Sequence, residues 1–158
     1  MIRNANAQDA PAFCTLYNHY IEKTCITFEE EPVPAEIMEN RIRTIISRFP
    51  WLVWEGDAGV QGYAYIHQWH ERSAYRFTVE DSIYLAPGAE GKGIGTQLLA
   101  SLLIQTDSPR RIMSVITLPN DRSIALHEKF GFTKVGHFKK VGFKLNQWLD
   151  VGYWELLL

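Results

Sequence analysis

The chain has little cysteine, little net charge and no long apolar run, and each shortage closes off a class of protein. Two cysteines in 158 residues, Cys14 and Cys25, are too few for a disulfide framework or a cysteine-built metal cage, and no metal is expected. They read as reduced thiols, one of them buried. No stretch reaches the roughly 18 consecutive apolar residues of a membrane span, and Met1-Ile2-Arg3-Asn4 lacks the apolar core of a signal peptide. The expectation is a cytoplasmic protein with no membrane partner. Lys+Arg number 16 against 18 Asp+Glu, so a net charge of −2 offers nucleic acid no general attraction. Any positive site must be local. What the chain does have is a core-forming composition, 46% hydrophobic and 13% aromatic, with no repeat or linker, which predicts one domain over residues 1–158.

Hydrophobic periodicity predicts the order β-α-α-β-β-β-α-β-α-β-β. Ile2 to Ala5 reads as a first strand, and Asp9 as the cap of a helix carrying Phe13, Leu16, Tyr17, Tyr20 and Ile21. Pro34 suits the first turn of a second helix with Ile37, Met38, Ile42, Ile45, Ile46 and Phe49. Trp51–Trp54 and Val60–Ile66 flank a hairpin turn, and residues 68–76 form a polar, aromatic loop. A strand over 78–85, a glycine-rich loop and a helix to Thr106 follow. Then come a strand over 112–117, a helix capped by Asn120 or Asp121 and ended by Gly131, and two last strands around a turn at Asn146. Early hairpins followed by strand–helix units predict an α/β (α+β) mixed sheet with helices on both faces.

The glycine-rich segment, Pro87-Gly-Ala-Glu90-Gly91-Lys92-Gly93-Ile94-Gly95-Thr96, sits between strand and helix. Glycines let main-chain N–H groups and the positive end of the helix converge on one spot, which suits a phosphate or pyrophosphate; the plain alternative is a flexible turn. The spacing is not the Gly-x-Gly-x-x-Gly of dinucleotide folds, and Lys92 is followed by Gly93 rather than Ser or Thr, which excludes the Walker loop. What remains, x-x-Gly-x-Gly at a strand-to-helix junction, resembles the loop by which GNAT N-acetyltransferases hold the pyrophosphate of acetyl-CoA. Glu90 departs from the Gln or Arg usual there, and its carboxylate must turn away from a phosphate. The element order is also that of this family, which implies a mostly antiparallel, splayed central sheet of about seven strands.

A closer resemblance, to the phosphinothricin/methionine-sulfoximine acetyltransferase branch of that family, is carried by short pieces in the same order along the chain. They are Pro50-Trp51-Leu52-Val53, Ala74-Tyr75 with Thr78-Val79-Glu80, and Leu118-Pro119-Asn120-Asp121. Leu126-His127-Glu128 with Gly131-Phe132, and Gly142-Phe143-Lys144 with Trp148-Leu149-Asp150-Val151, complete the set. The resemblance implies acetyl transfer from acetyl-CoA, as co-substrate, to the amine of a small amino acid or analogue, by direct attack in a ternary complex. It implies Glu80 as general base, with His127 as general acid or additional base. A pairing of Glu80 with Arg72 or Arg76 is the bland alternative, and Asp81, on the opposite strand face, the rival base. Asn120, Ser123 and His127 share a helix face, with His127 about 10 Å along from Asn120.

By the same resemblance, Ile83, Tyr84 and Leu85 bind the thioester and pantetheine arm. Gly91, Lys92, Gly93, Ile94, Gly95, Thr96 and Asn120 complete the cofactor site, and Phe28, Arg72 and Tyr75 hold an anionic acceptor. His19, His67, His70 and His137 lack such context. The tail from Lys139 to Trp154 implies a homodimer. Two other functions compete: acetylation of peptide N-termini, lysines or polyamines, and a non-catalytic acyl-CoA sensor, which Glu90 favours.

Overall fold

Strand β1 (Ile2–Asn4) leads into a capping box one turn earlier than expected. Asn6, not Asp9, is the cap: its side chain accepts from the Gln8 N–H at 2.9 Å, while Asp9 reaches back to the Asn6 N–H at 2.9 Å. A 3-10 turn at Ala7–Asp9 opens helix α1 (Ala10–Lys23) from this frame, which displaces Asp9 from the capping position. Asp9 is fixed again by Arg3 at 2.7 Å, an ion pair that also recruits Glu55. The computed structural model describes residues 1–107 and 109–158.

These residues form two compact units interleaved along the chain. The first takes residues 1–18, 32–67 and 82–107. In it, helix α2 (Ala35–Ile46) starts behind Pro34 and buries Met38 and Ile42, one turn apart. Ile37 and Ile46, which share the apolar pattern, fall outside that stripe and are exposed. Strands β2 (Trp51–Gly56) and β3 (Gly59–Gln68) make the expected hairpin. Trp51 and Tyr63 enclose the fully buried Phe13, with ring centroids 5.3 and 4.4 Å away. Truncating Phe13 to alanine there costs about 3–5 kcal/mol.

The second unit takes, of the described residues, 19–31, 68–81 and 109–158. Strand β5 (Arg111–Leu118) pairs antiparallel with β7 (Gln147–Leu157), and β7 with β6 (Thr133–Lys144). A two-residue turn joins the last two strands. Leu145 and Asn146 both have positive φ, 49° and 60°, the handedness that matches strand twist. Helix α4 (Asp121–Lys129) is capped by Asn120, whose side chain accepts the Ser123 N–H, and Gly131 follows its end at φ 91°.

Strand β4 (Thr78–Leu85) belongs to both units, and helix α3 (Ile94–Gln105) follows it. The seven-strand sheet runs β1-β2-β3-β4-β5-β7-β6. β4 and β5 run parallel, while β1–β2, β2–β3, β5–β7 and β6–β7 are antiparallel. The mixed, mostly antiparallel sheet expected from the sequence is therefore present. The β4–β5 register covers only Thr78–Arg111, Val79–Ile112 and Glu80–Met113, although both strands continue beyond it.

Candidate active site

In the first unit, β4 delivers Ile83, Tyr84 and Leu85 to the glycine loop. The Tyr84 ring meets Tyr17 edge-on at 5.0 Å, and the Leu85 side chain lies against the Cα of Gly62, where a Cβ would sit only 2.6 Å away. Packing thus fixes the strand from its side chains. In the loop, Gly91 and Gly93 have φ of 73° and 79°, a backbone that side-chain-bearing residues rarely adopt, and a Cβ built at Gly91 would meet nothing within 4 Å. The cradle is open. Gly93 caps α3 with no side chain on the helix end, so the first-turn N–H groups of Ile94, Gly95 and Thr96 have no intrahelical acceptor. Gly91, Lys92 and Gly93 are exposed, whereas Ile94 and Gly95 are buried and anchor the turn. Glu90 turns back: its Oε2 accepts the Gly88 N–H at 2.9 Å, so the carboxylate braces the loop from within. These residues fit a pyrophosphate.

In the second unit, alternation along β4 places Glu80 and Asp81 on opposite faces. Through the register, Glu80 shares its face with Met113 of β5 and Glu155 of β7. Two residues along β7 on that face stands Tyr153, which meets Trp69 at 6.1 Å and Phe138 at 5.1 Å, edge-on in both cases. Glu80 is half-buried, and its carboxyl is pushed up to about 7 from an ordinary 4.5, first by burial and then by the neighbouring charge of Asp81. That value suits a group that must gain and lose a proton near neutrality.

On the other face, Asp81 is buried and its Oδ2 meets His127 Nε2 at 2.8 Å. His127 Nδ1 lies 2.7 Å from the Ser123 carbonyl, one turn back on α4. Burial alone would lower the proton affinity of His127, but Asp81 and the Ser123 carbonyl outweigh it and the net shift is upward. Both ring nitrogens are thus engaged inside the protein, on the face away from Glu80. The family resemblance pointed to His127; its partner lies 46 residues away in sequence, which no local pattern reveals.

The residues expected to hold the acceptor are more exposed. Arg72 precedes the 3-10 turn Ser73–Tyr75, and Tyr75 meets His70 edge-on at 4.9 Å. The Phe28 ring lies against Gly142 so closely that a Cβ there would sit 2.3 Å from it. Sequence reasoning missed Trp69 and Tyr153, whose aromatic wall depends on strand register. It also missed Lys144, a buried amine that donates to the Thr27 carbonyl at 2.7 Å and holds the segment carrying Phe28. The cap role of Asn120 uses its Oδ1. Among the described residues, no cluster of three or more His, Cys, Asp or Glu side chains forms a metal cage, and no helix is long and apolar enough to cross a membrane.

Known proteins resemble this chain along most of its length. The chain is 37% identical to phosphinothricin N-acetyltransferase of Streptomyces viridochromogenes over 98% of its own length and 85% of that protein's. It is 34% identical to the L-methionine sulfoximine/L-methionine sulfone acetyltransferase of Salmonella typhimurium, covering 99% and 94%. The crystal structure of a GNAT superfamily phosphinothricin acetyltransferase from Sinorhizobium meliloti in complex with AcCoA superposes with a TM-score of 0.96 at 38% identity, over 100% of this chain and 88% of that one. Residues 2–152 match the acetyltransferase (GNAT) domain. A glycine cradle at the head of α3 and a carboxyl on the preceding strand thus accompany likeness along nearly the whole chain, which belongs to the GNAT acetyltransferase family.

Proposed function

We propose that this chain is an acetyl-CoA-dependent N-acetyltransferase acting on the amine of a small amino acid or analogue of the phosphinothricin or methionine sulfoximine kind. The observation that carries this reading is the placement of Glu80, raised to about 7, on the strand that runs through Ile83–Leu85 into the glycine cradle. The cradle of Gly91 to Thr96 holds the diphosphate of acetyl-CoA, with Lys92 supplying a local positive charge and Asn120 the remaining cofactor contact. Main-chain N–H groups near Ile83–Leu85 steady the thioester oxygen as it gains charge.

Glu80 takes one proton from the incoming ammonium, and the freed lone pair attacks the thioester carbon. The carbon–sulfur bond breaks as the carbon–nitrogen bond forms. The second nitrogen proton passes to the departing thiolate, so the products are the amide, the CoA thiol and one proton held by Glu80. Both substrates are bound together and no covalent enzyme intermediate is needed. His127 assists from behind the strand. Arg72 suits an acceptor carboxylate or phosphinate through paired hydrogen bonds, and Phe28 and Tyr75 enclose its side chain.

One domain over residues 1–158, a cytoplasmic setting and a homodimer built on β6 and β7 complete the reading. The family match over residues 2–152 supports the first, and an exposed apolar hairpin supports the last. The test is thiol release from acetyl-CoA with phosphinothricin, methionine sulfoximine, methionine sulfone, polyamines and short peptides as acceptors. Turnover on the amino-acid analogues is expected. Glu80→Gln should lower kcat at least a hundredfold while the Kd for acetyl-CoA stays within about twofold. Acetyl-CoA binding without turnover on any amine would instead establish a sensor, and turnover on peptides alone a protein acetyltransferase.

A further inference from the structure

Residues 25–28 cross the face of the sheet that carries Glu80. The register sets Glu80 beside Met113 of β5, and alternation keeps Val115 and Thr117 on that side. β7 continues the face: Tyr153 lies opposite Val115 and Val151 opposite Thr117, and alternation carries it on to Leu149 and Gln147. Their partners on β6 are Gly142 and Lys144. Every residue of the 25–28 segment is held from this face. The Gln147 side-chain amide donates to the Cys25 Sγ at 3.2 Å, and the Thr117 hydroxyl to the Ile26 carbonyl at 3.4 Å. Lys144 Nζ donates to the Thr27 carbonyl at 2.7 Å, and the Phe28 ring lies on the bare Cα of Gly142. Lys144 is the costly member. It is 3% exposed, although lysine is rarely buried so fully, and a methionine would fill the same space without desolvating a charge. Phe28, one residue beyond that carbonyl, keeps 43% of its surface open. A buried cation thus fixes the backbone next to an aromatic ring that is not itself buried.

We propose that Lys144 is a positioning residue for the amine acceptor: by gripping the Thr27 carbonyl it sets the Phe28 ring on the Glu80 face as a wall for the acceptor side chain. The proposal rests on the reading that the acceptor binds on that face, against Phe28. A wall fixed in advance loses little conformational freedom when the acceptor arrives, so the grip shows in acceptor affinity. Gly142 serves the same end from the strand beneath. A Cβ there would sit 2.3 Å from the ring and push it off the sheet. Two features of different chemistry, an ammonium and a missing side chain, converge on one ring.

The experiment measures kcat and KM for methionine sulfoximine, with the Kd for acetyl-CoA, in the wild type, Lys144→Met, Phe28→Ala and the double variant. Lys144→Met is expected to raise the amine KM about tenfold, the scale of one aromatic contact, while kcat and the acetyl-CoA Kd stay within about twofold. Phe28→Ala should raise it as far. In the double variant the two effects should not multiply, because Lys144 acts through a ring that is already gone. Should Lys144→Met fail to fold, Gly142→Ala, which displaces the same ring, carries both expectations. An unchanged amine KM in the single variant, or multiplied effects in the double one, overturns the proposal. A loss spread evenly over the amine KM, kcat and the acetyl-CoA Kd marks a general structural role and overturns it too. The two readings fail separately. A wild type that acetylates no amine removes the proposed function and this inference together; a wild type that does, with an amine KM unmoved by Phe28→Ala, removes this inference alone.

Discussion

At the scale of single residues, the proposed mechanism asks Glu80 to be poor at folding in order to be good at chemistry. Its ordinary carboxyl value is 4.5, and the folded protein raises it to about 7, because burial and Asp81 both disfavour the charged form. A raised folded value means that the native state holds a proton that the unfolded chain releases. Its contribution to stability is therefore intact below pH 4.5 and lost as pH rises through about 7. Glu80→Gln, which never ionises, escapes that loss. Chemical denaturation should find the Gln variant equal to the wild type at pH 4 and more stable at pH 8, by on the order of 2–3 kcal/mol. Equal stability at both pH values would mean that Glu80 is not strained in the fold. The sequence located Glu80 through its place before the loop, and strand alternation put Asp81 on the opposite, buried face. The bond from Asp81 to His127 was out of reach, because it joins a strand and a helix 46 residues apart.

At the scale of elements, the glycine loop was the most legible part of the chain, because its conformation is a backbone property that glycine alone permits cheaply. Gly93 shows this in a single torsion, φ 79° at the entrance to α3. Gly93→Ala would force a Cβ into a left-handed conformation, at about 1 kcal/mol, and tilt the first-turn N–H groups away from the diphosphate. The expected result is a five- to tenfold rise in the KM for acetyl-CoA, roughly 1–1.4 kcal/mol, with kcat nearly unchanged. An unaltered KM would detach the loop from cofactor binding. Helix α1 was less legible, since the Asn6 cap competes with a plausible Asp9, and only the 3-10 turn decides between them. Glu90 is similar. Its charge argued against a phosphate until its bond to the Gly88 N–H turned it inward.

At the scale of the whole molecule, the β6–β7 hairpin presents an exposed apolar surface. Phe138, Val141, Phe143, Leu145 and Trp148 are each more than half exposed, and Phe143 and Trp148 pair across the strands at 5.1 Å. In the sequence these residues look like any strand's apolar half; their exposure is a fact of tertiary structure. An apolar patch on a sheet edge fits burial against a second copy. The same β6 carries Gly142, whose bare Cα supports the Phe28 ring, and Lys144, which ties down the Thr27 carbonyl. On the proposed reading, assembly and acceptor binding share one strand. Trp148→Glu places a charge in the patch and, because Trp148 is exposed, leaves the core of each copy intact. Sedimentation equilibrium should show the wild type at twice the 18.2 kDa chain mass and the variant at the chain mass. With the hairpin unsupported, the KM for the amine should rise severalfold while the Kd for acetyl-CoA, which the proposal assigns to the glycine loop, stays constant. A variant that remains dimeric would move the interface elsewhere, and one that becomes monomeric with an unchanged amine KM would separate assembly from the acceptor pocket.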